Sequence, residues 1–122
     1  MASELTLSAS MRFAKGAIDV QFARLNQLFT VSGTDFNWKS QEIGTSEEAI
    51  ALGDCAAGGY ILIYNSDATN YVKIRAATGG TDMVRLKAGE FAMFRFDVTG
   101  AAAPFAIADT AAVICQYLLV EP

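Results

Sequence analysis

The chain has 122 residues, of which 52% are hydrophobic and 18% charged, and its formal net charge is -4. This length suits one domain, and the negative charge argues against a nucleic-acid-binding module, which needs a surplus of Lys and Arg to neutralise phosphates. Histidine is absent and the two cysteines, Cys55 and Cys115, lie far apart in sequence, which excludes zinc-ligand spacing and any catalytic nucleophile that depends on histidine.

Membrane insertion and export are not expected either. No stretch approaches the roughly 20 apolar residues that a membrane-spanning helix needs. The first ten residues, MASELTLSAS, lack the basic start and the apolar core of a signal peptide. We therefore expect a protein that is made and retained in the cytoplasm and does not enter a membrane.

The first third of the chain is predicted to form strands. Residues 2–13 alternate between apolar and polar side chains, which is the period of a half-buried strand. The alternation resumes at Ile18 after Gly16, and this predicts a hairpin that turns at the glycine. Residues 24–31 would also fit one face of a short helix, but the β-branched Thr30 and Val31 favour a strand.

The middle of the chain contains one ambiguous segment and several clear ones. Residues 36–43 alternate again and predict a strand. Residues 43–54 carry Thr45 or Ser46 before Glu48, a weak helix-capping pattern, so one helical turn, a loop and a short edge strand all remain open. Residues 60–64, YILIY, are apolar at every position and predict a central strand covered on both faces.

The remaining segments complete an all-β pattern. NSDATN at 65–70 predicts a turn held by Asn and Asp side chains. Residues 71–75 and 83–87 alternate and suit an antiparallel pair, residues 91–96 form another strand, and 112–120 predict a long strand in the middle of a sheet. A loop of small residues is predicted at Gly100–Pro104. We expect one domain over residues 1–122, an antiparallel two-sheet sandwich of jelly-roll or Greek-key type with roughly eight to nine strands.

Candidate chemistry is sparse, and no catalytic, cofactor-binding or metal-ligating residues are predicted. Glu47 and Glu48 are the only adjacent carboxylates, and neighbours in a strand or turn point apart. The Asn65, Asp67 and Asn70 spacing resembles a calcium loop, but the required glycine and bidentate glutamate are missing. An enzyme is therefore not expected. Cys115 lies in an apolar run and should be a small buried residue.

The charge distribution suggests one surface for a partner. Residues 71–96 carry a net charge of +3, which leaves -7 for the rest of the chain. The outward side chains of the predicted strand pair form what we call the basic stripe, Lys73, Arg75, Arg85 and Lys87. This stripe is either an ordinary solvated sheet face or a docking surface for an acidic partner, including another copy of the chain.

Four segments resemble the small β-sandwich virion proteins of tailed bacteriophages, especially capsid decoration or cement proteins. They are IGTSEEAIALGD at 43–54, GGYILIYNSDATNYVKI at 58–74, VRLKAGEFAMFRF at 84–96 and ADTAAVICQYLLVE at 108–121. The resemblance covers about two thirds of the chain, residues 43–121. It implies an oligomeric subunit, a trimer or dimer, that binds the outer surface of the major capsid protein shell.

The N-terminal strand, residues 1–16, is a candidate arm for adding to a neighbour's sheet edge. The candidate interface residues are thus Leu5, Leu7 and Arg12 on the arm, and Lys73, Arg75, Arg85 and Lys87 on the basic stripe. Two alternatives remain open: a tail, neck or fibre-base component of the virion, and a carbohydrate-binding module with Trp38, Tyr64 and Tyr71 as its aromatic residues. Trp38 and Tyr64 are nevertheless expected to pack in the core.

Overall fold

A computed structural model describes residues 4–96 and 104–122 of the chain. The described residues form ten strands joined by turns and loops, and every strand pairing is antiparallel. The strands are β1 Leu5–Lys15, β2 Ile18–Phe29, β3 Phe36–Ile43, β4 Glu48–Ala49, β5 Tyr60–Asn65, β6 Val72–Arg75, β7 Asp82–Leu86, β8 Phe91–Arg95, β9 Phe105–Ala108 and β10 Val113–Val120. The predicted antiparallel all-β class is confirmed, with ten strands where the sequence predicted eight or nine.

The chain divides into two compact units, Met1–Ser32 and Gly33–Pro122. The sequence analysis predicts one sandwich domain over residues 1–122. In the structure the sandwich comprises the second unit, and the first unit is a two-stranded hairpin of its own.

In the first unit, β1 and β2 pair from Leu5 opposite Phe29 to Lys15 opposite Ile18. The two-residue turn places Gly16 at a φ of 58°, a left-handed conformation that glycine adopts without a steric penalty. The predicted hairpin with its turn at the glycine is therefore confirmed, and residues 24–29 form strand rather than helix.

A bulge interrupts this hairpin between Leu7 and Ala9. Asn26 adopts a φ of 54° there, and its backbone N–H donates to Ser8 Oγ at 2.8 Å. The extra residue changes which side chains of β2 share a face. As a result, the odd-numbered Phe29 lies on the same face as Leu5, whereas before the bulge the even-numbered residues of β2 form that face.

The second unit contains two four-stranded sheets, with strand orders β3-β10-β5-β8 and β4-β9-β6-β7. When the eight strands of the sandwich are numbered from 1 for β3 to 8 for β10, the two orders become 1-8-3-6 and 2-7-4-5. This is the strand order of a jelly roll. Of the two predicted topologies, jelly roll is the one that forms. The termini of the sandwich meet, because β3 pairs with β10 along its whole length.

The core lies between the two sheets and is built by alternate side chains of both. Its fully buried members from the first sheet include Ile43, Ile61, Ile63, Val113, Cys115 and Leu119, and those from the second include Val72, Ile74 and Ala106. Cys115 is 0% exposed, which confirms its predicted role as a small buried residue, and burial raises the pKa of its thiol to about 11.

Several sequence predictions are corrected by the sheet arrangement. The 60–64 run does form an interior strand, β5, but only one of its faces is covered, since Leu62 is 46% exposed and Tyr64 39%. The ambiguous segment 43–54 supplies the edge strand β4 and no helical turn. Strand β9 was not predicted, and the predicted loop at Gly100–Pro104 lies, up to residue 103, outside the described residues.

The NSDATN segment forms the predicted turn. Asn65 is 0% exposed, and its Nδ2 donates to the carbonyls of Asn70 and Leu86 while its Oδ1 accepts from Asp67 N. An Asp67 carboxylate oxygen accepts from the N–H groups of Thr69 and Asn70. These backbone bonds, that of Asn70 most of all, lower the pKa of Asp67. The carboxylate that resembled a calcium ligand is thus used by the turn itself.

Candidate interaction surface

The side of the β3-β10-β5-β8 sheet that points away from the core is unusually apolar, and we call it the outer face. One row of side chains crosses all four strands, because Trp38 lies opposite Leu118, Leu118 opposite Leu62, and Leu62 opposite Met93. Cross-strand neighbours of this kind lie about 5 Å apart at Cβ, so their side chains touch. The row contains no polar residue.

Two further rows flank this one. The first runs Phe36, Val120, Tyr60, Arg95 and the second runs Ser40, Gln116, Tyr64, Phe91. The large apolar residues of the outer face that are at least 39% exposed are Phe36, Trp38, Leu62, Tyr64, Phe91, Ile114 and Leu118. Charge is confined to the margins, with Arg95 at one corner and Glu42 beyond the Ser40 row.

The size of this exposed surface distinguishes it from scattered surface hydrophobic residues. With side-chain areas of about 150–250 Å² for aromatic residues and slightly less for aliphatic ones, the exposed fractions correspond to about 800 Å² of uncovered apolar area. The largest apolar patch on a typical monomer is about 300–600 Å². Apolar faces larger than this are typical of surfaces that bind another molecule.

The orientation of β3 explains why Trp38 is on the outer face. Gln41 points inward, where its Oε1 accepts from Ala51 N at 3.0 Å and its Nε2 donates to Ala49 O at 3.1 Å. Asn37 also points inward and donates to Ala51 O at 2.9 Å. The two amides thus bind the backbone beside β4, and the alternate positions of the strand, including Trp38, must point outward.

The expected core packing of Trp38 is therefore wrong: Trp38 is 79% exposed. The predicted alternation of β3 is right, but the amide residues occupy the inner face and the aromatic residues the outer one. In a strand with one face towards the core, the apolar side chains normally lie on that face. The reversed assignment leaves Phe36 and Trp38 available for a partner.

Tyr117 completes the inner side of this arrangement. It is 2% exposed, and its hydroxyl lies 2.8 Å from Gln41 Oε1 and 2.9 Å from Ala51 O. Burial raises the pKa of Tyr117 to about 12. The hydroxyl has one hydrogen to share between the two acceptors, and this network ties the middle strand β10 to the edge strand β3.

The hairpin carries a second apolar surface. Met11 lies opposite Phe22 and Phe13 opposite Val20, and Ile18 follows at the turn end of the same face. We call these five residues the hairpin patch. Each of them is more than half exposed, from 52% for Phe13 to 77% for Met11. Together they amount to about 600 Å² of apolar area by the same side-chain estimate.

The opposite face of the hairpin is largely polar, although Leu28 lies on it opposite Thr6, and its polar side chains bond to one another. Arg12 donates from Nε and Nη2 to the two carboxylate oxygens of Asp19, at 3.0 and 2.8 Å. Gln21 donates to Ser10 Oγ at 3.1 Å. This face is suited to water, so the predicted interface residue Arg12 lies on the side of the hairpin that needs no partner. Leu5 and Leu7 lie on the apolar side and are half-buried.

The basic stripe forms as predicted but is partly neutralised. Strands β6 and β7 pair antiparallel, with Lys73 opposite Arg85. Asp82 accepts from Arg75 Nε at 2.6 Å and lies 3.1 Å from Lys73 Nζ, while Glu47 lies 2.7 Å from Arg75 Nη1. These bonds lower the pKa of Asp82, through Arg75 first and then Lys73. Both cations therefore already have anionic partners.

Glu47 receives more donors than Arg75 alone. The Thr78 hydroxyl and the Gly79 N–H also donate to its carboxylate, and the Thr78 bond is the largest cause of the lowered pKa of Glu47. This carboxylate thus fastens the 76–80 turn to the segment before β4. The sequence offers no local signal for this contact, which spans about 30 positions.

The remaining two cations of the stripe are exposed. Arg85 stacks over the Tyr71 ring with its guanidinium carbon 4.4 Å from the ring centroid, and Lys73 Nζ lies 5.8 Å from the same centroid. Lys87 follows β7 and is exposed. Arg85 and Lys87 are therefore the members of the basic stripe that present positive charge without a carboxylate partner among the described residues.

The aromatic residues proposed for sugar binding do not come together. Trp38 and Tyr64 share the outer face, in adjacent rows and two strands apart. Tyr71 precedes β6 in the other sheet and is occupied by Arg85. Trp38 and Tyr64 therefore remain on one face without Tyr71, with Ser40 and Gln116 of the flanking row as their polar neighbours.

Within residues 4–96 and 104–122, no group of three or more His, Cys, Asp or Glu residues is placed to hold a metal ion. Burial raises the pKa of Cys55 as well, so neither thiol is activated as a nucleophile. The same residues include no helix long and apolar enough to cross a membrane.

No protein-family model matches the chain, and no significant similarity to a curated protein or to a solved structure was found.

Proposed function

We propose that this chain is a structural protein of a tailed-bacteriophage virion, a decoration protein that binds the outer surface of the major capsid protein shell and stabilises the head. The observation that carries the proposal is the exposed apolar area of the outer face, about 800 Å², on a rigid jelly roll. A chain with that much uncovered apolar surface acts by association. The resemblance of residues 43–121 to phage decoration proteins supports the capsid surface as the place where the chain associates.

The geometry supports a role in a particle with many copies. Contacts of modest individual strength become strong when they are repeated over a lattice, because each bound subunit holds its neighbours close to their own sites. A sandwich whose core is closed by β3–β10 pairing needs no rearrangement to present its faces. Arg85 and Lys87 add a positively charged surface that complements an acidic shell.

The experiment is a count of copies in purified virions that contain this chain. Protein-band intensities, normalised to the major capsid protein, give the number of copies per particle. Hundreds of copies, together with heads that become more sensitive to heat or osmotic shock when the gene is deleted, are the expected result. A dozen or fewer copies would instead indicate the tail, neck or fibre base.

The shell contact has its own test with a matched control. Reversing the exposed charges, Arg85→Glu with Lys87→Glu, should weaken binding to empty heads and should reduce its dependence on salt. Lys73→Glu is not a suitable variant, because Lys73 is paired with Asp82. Lys15→Glu, a single reversal near the hairpin turn, is compared with Arg85→Glu alone and serves as the control for net charge. Unchanged binding by the double variant would show that the basic stripe is not the docking surface.

A further inference from the structure

We propose that the outer face of one chain is covered by the hairpin patch of a second copy of the same chain. The inference starts from the two exposed apolar surfaces described above. It goes beyond the virion role and does not rest on it, because it assigns the outer face to the contact between copies and leaves Arg85 and Lys87 for the shell.

An isolated two-stranded hairpin is marginally stable in water, and stability normally requires a further strand or a packed face. The hairpin has pairing along 11 and 12 residues, but its apolar side remains exposed at Met11, Phe13 and Phe22. Its polar side is already satisfied by the Arg12–Asp19 and Gln21–Ser10 bonds. The apolar side is therefore the one that requires a cover.

The outer face provides such a cover within the same sequence. The hairpin patch contributes about 600 Å² and the outer face about 800 Å² of exposed apolar area. Their sum falls within the range of about 1,200–2,000 Å² that specific, stable interfaces bury. If two copies exchange hairpins reciprocally, the total doubles and reaches the range of permanent homodimers.

The middle of the proposed contact contains no charge. The central outer-face row is Trp38, Leu118, Leu62 and Met93, and the hairpin rows are Met11–Phe22 and Phe13–Val20. Burial would therefore leave no unpaired ion. On the hairpin, Lys15 beside Ile18 and Arg24 opposite Ala9 lie at the two ends of the patch. Arg95 lies at a corner of the outer face, and charges at such margins remain solvated.

The test is a complementation experiment with full-length chains. One variant damages the outer face, Trp38→Ser with Leu118→Ser, and the other damages the hairpin patch, Met11→Ser with Phe22→Ser. Each should weaken self-association at least about 30-fold and give a monomer mass by light scattering. The control, Gln21→Ser with Ala23→Ser on the polar side of β2, should keep the wild-type mass.

Mixing the two monomeric variants is the decisive step. The first variant retains an intact hairpin patch and the second an intact outer face, so the mixture should form a mixed dimer although neither variant self-associates. Circular dichroism and urea unfolding check that both are folded. If either double variant does not fold, the single variants Trp38→Ser and Met11→Ser replace them, since these are the two most exposed members of their surfaces.

Four results would overturn the inference: a wild-type chain that stays monomeric at high micromolar concentration, a mixture that remains monomeric, an oligomer that the hairpin variant leaves intact, or a monomer whose outer face binds a glycan array through Trp38. Its failure is distinguishable from that of the virion role. A monomeric chain present at hundreds of copies per particle contradicts only this inference, and an oligomer absent from particles contradicts only the proposed function.

Discussion

Trp38 on β3 lies directly opposite Leu118 on β10, and both side chains are exposed on the side of the sheet that faces away from the core. This pair joins the edge strand to the middle strand at the centre of the outer face. In the contact that we propose, these two apolar residues, which the core does not use, lie in the central row of the outer face. It also provides a direct spectroscopic reporter, because Trp38 is the only tryptophan in the chain.

We predict that the fluorescence of Trp38 depends on protein concentration. A dilute, dissociated chain should emit at long wavelength and be quenched readily by iodide, since Trp38 is 79% exposed. Raising the protein concentration should shift the emission to shorter wavelength and protect Trp38 from the quencher. Leu118→Ser should keep the dilute spectrum at all concentrations. A spectrum that is blue-shifted and protected even at nanomolar concentration would show that Trp38 is covered within one chain.

The second prediction concerns the inward amide that orients β3. Gln41→Ala removes the groups that bond Ala49 O and Ala51 N, and it leaves the Tyr117 hydroxyl with one acceptor fewer. Because part-buried polar groups lose their partners, we expect a loss of about 2 kcal/mol in the free energy of unfolding. Urea denaturation measures this loss.

The control for that measurement is the next residue along the strand. Ser40→Ala lies on the exposed side and should change the free energy of unfolding by less than about 0.5 kcal/mol. Tyr117→Phe should give an intermediate loss of about 1 kcal/mol, since it removes one donor from the same network. Equal effects for Gln41→Ala and Ser40→Ala would contradict the inward orientation of Gln41.

Periodicity alone predicted most of the strands, including the hairpin at Gly16 and the β6–β7 pair, because alternation is a local property of the sequence. It could not assign the face of β3. The groups that draw Gln41 and Asn37 inward are Ala49 and Ala51, which reach them only in the folded sandwich. A continuous apolar run such as residues 60–64 fits a buried strand and an interface strand equally well.

The strand order was also beyond the sequence pattern. Strand β3 pairs with β10 across 70 to 84 positions, and no short-range signal specifies such a partner. Strand β4 has only two residues and β9 only four, which is too short for alternation to distinguish them from loop. The same limit applied to the candidate interaction surface. The basic stripe could be recognised in the sequence, whereas the outer face could be recognised only from the register of four strands.

The third prediction concerns Asn65, the buried side chain that closes the 65–70 turn. Asn65→Ala leaves Asn70 O, Leu86 O and Asp67 N without their side-chain partner. Two of these groups lie in or beside the core, so the expected loss is about 3 kcal/mol in the free energy of unfolding. Thr69→Ala, exposed in the same turn, is the control and should change stability little. A loss below about 1 kcal/mol for Asn65→Ala would indicate that water replaces the amide.

The last prediction is a loss of stability in acid. Hydrogen bonds lower the pKa of Glu121, from Ala56 N first and then from Asp35 N and Thr34 N, and the pKa values of Glu47, Asp67 and Asp82 are lowered as well. A carboxylate whose folded pKa lies below its unfolded value of about 4 stabilises the fold fully above that value. Its contribution is lost as the pH falls further, because the unfolded chain then binds more protons.

Thermal unfolding should therefore show a melting temperature that is nearly constant from pH 7 to about pH 5 and falls steeply below about pH 4. Glu121→Gln removes the charge while keeping the side-chain length, so it should lower the melting temperature at pH 7 and flatten the fall in acid. The flattening identifies Glu121 as a source of the pH dependence, since a general loss of packing would lower the curve without changing its slope. An acid slope identical to that of the wild type would show that the Glu121 carboxylate does not hold the 33–35 and 56 segments in the way the hydrogen bonds indicate.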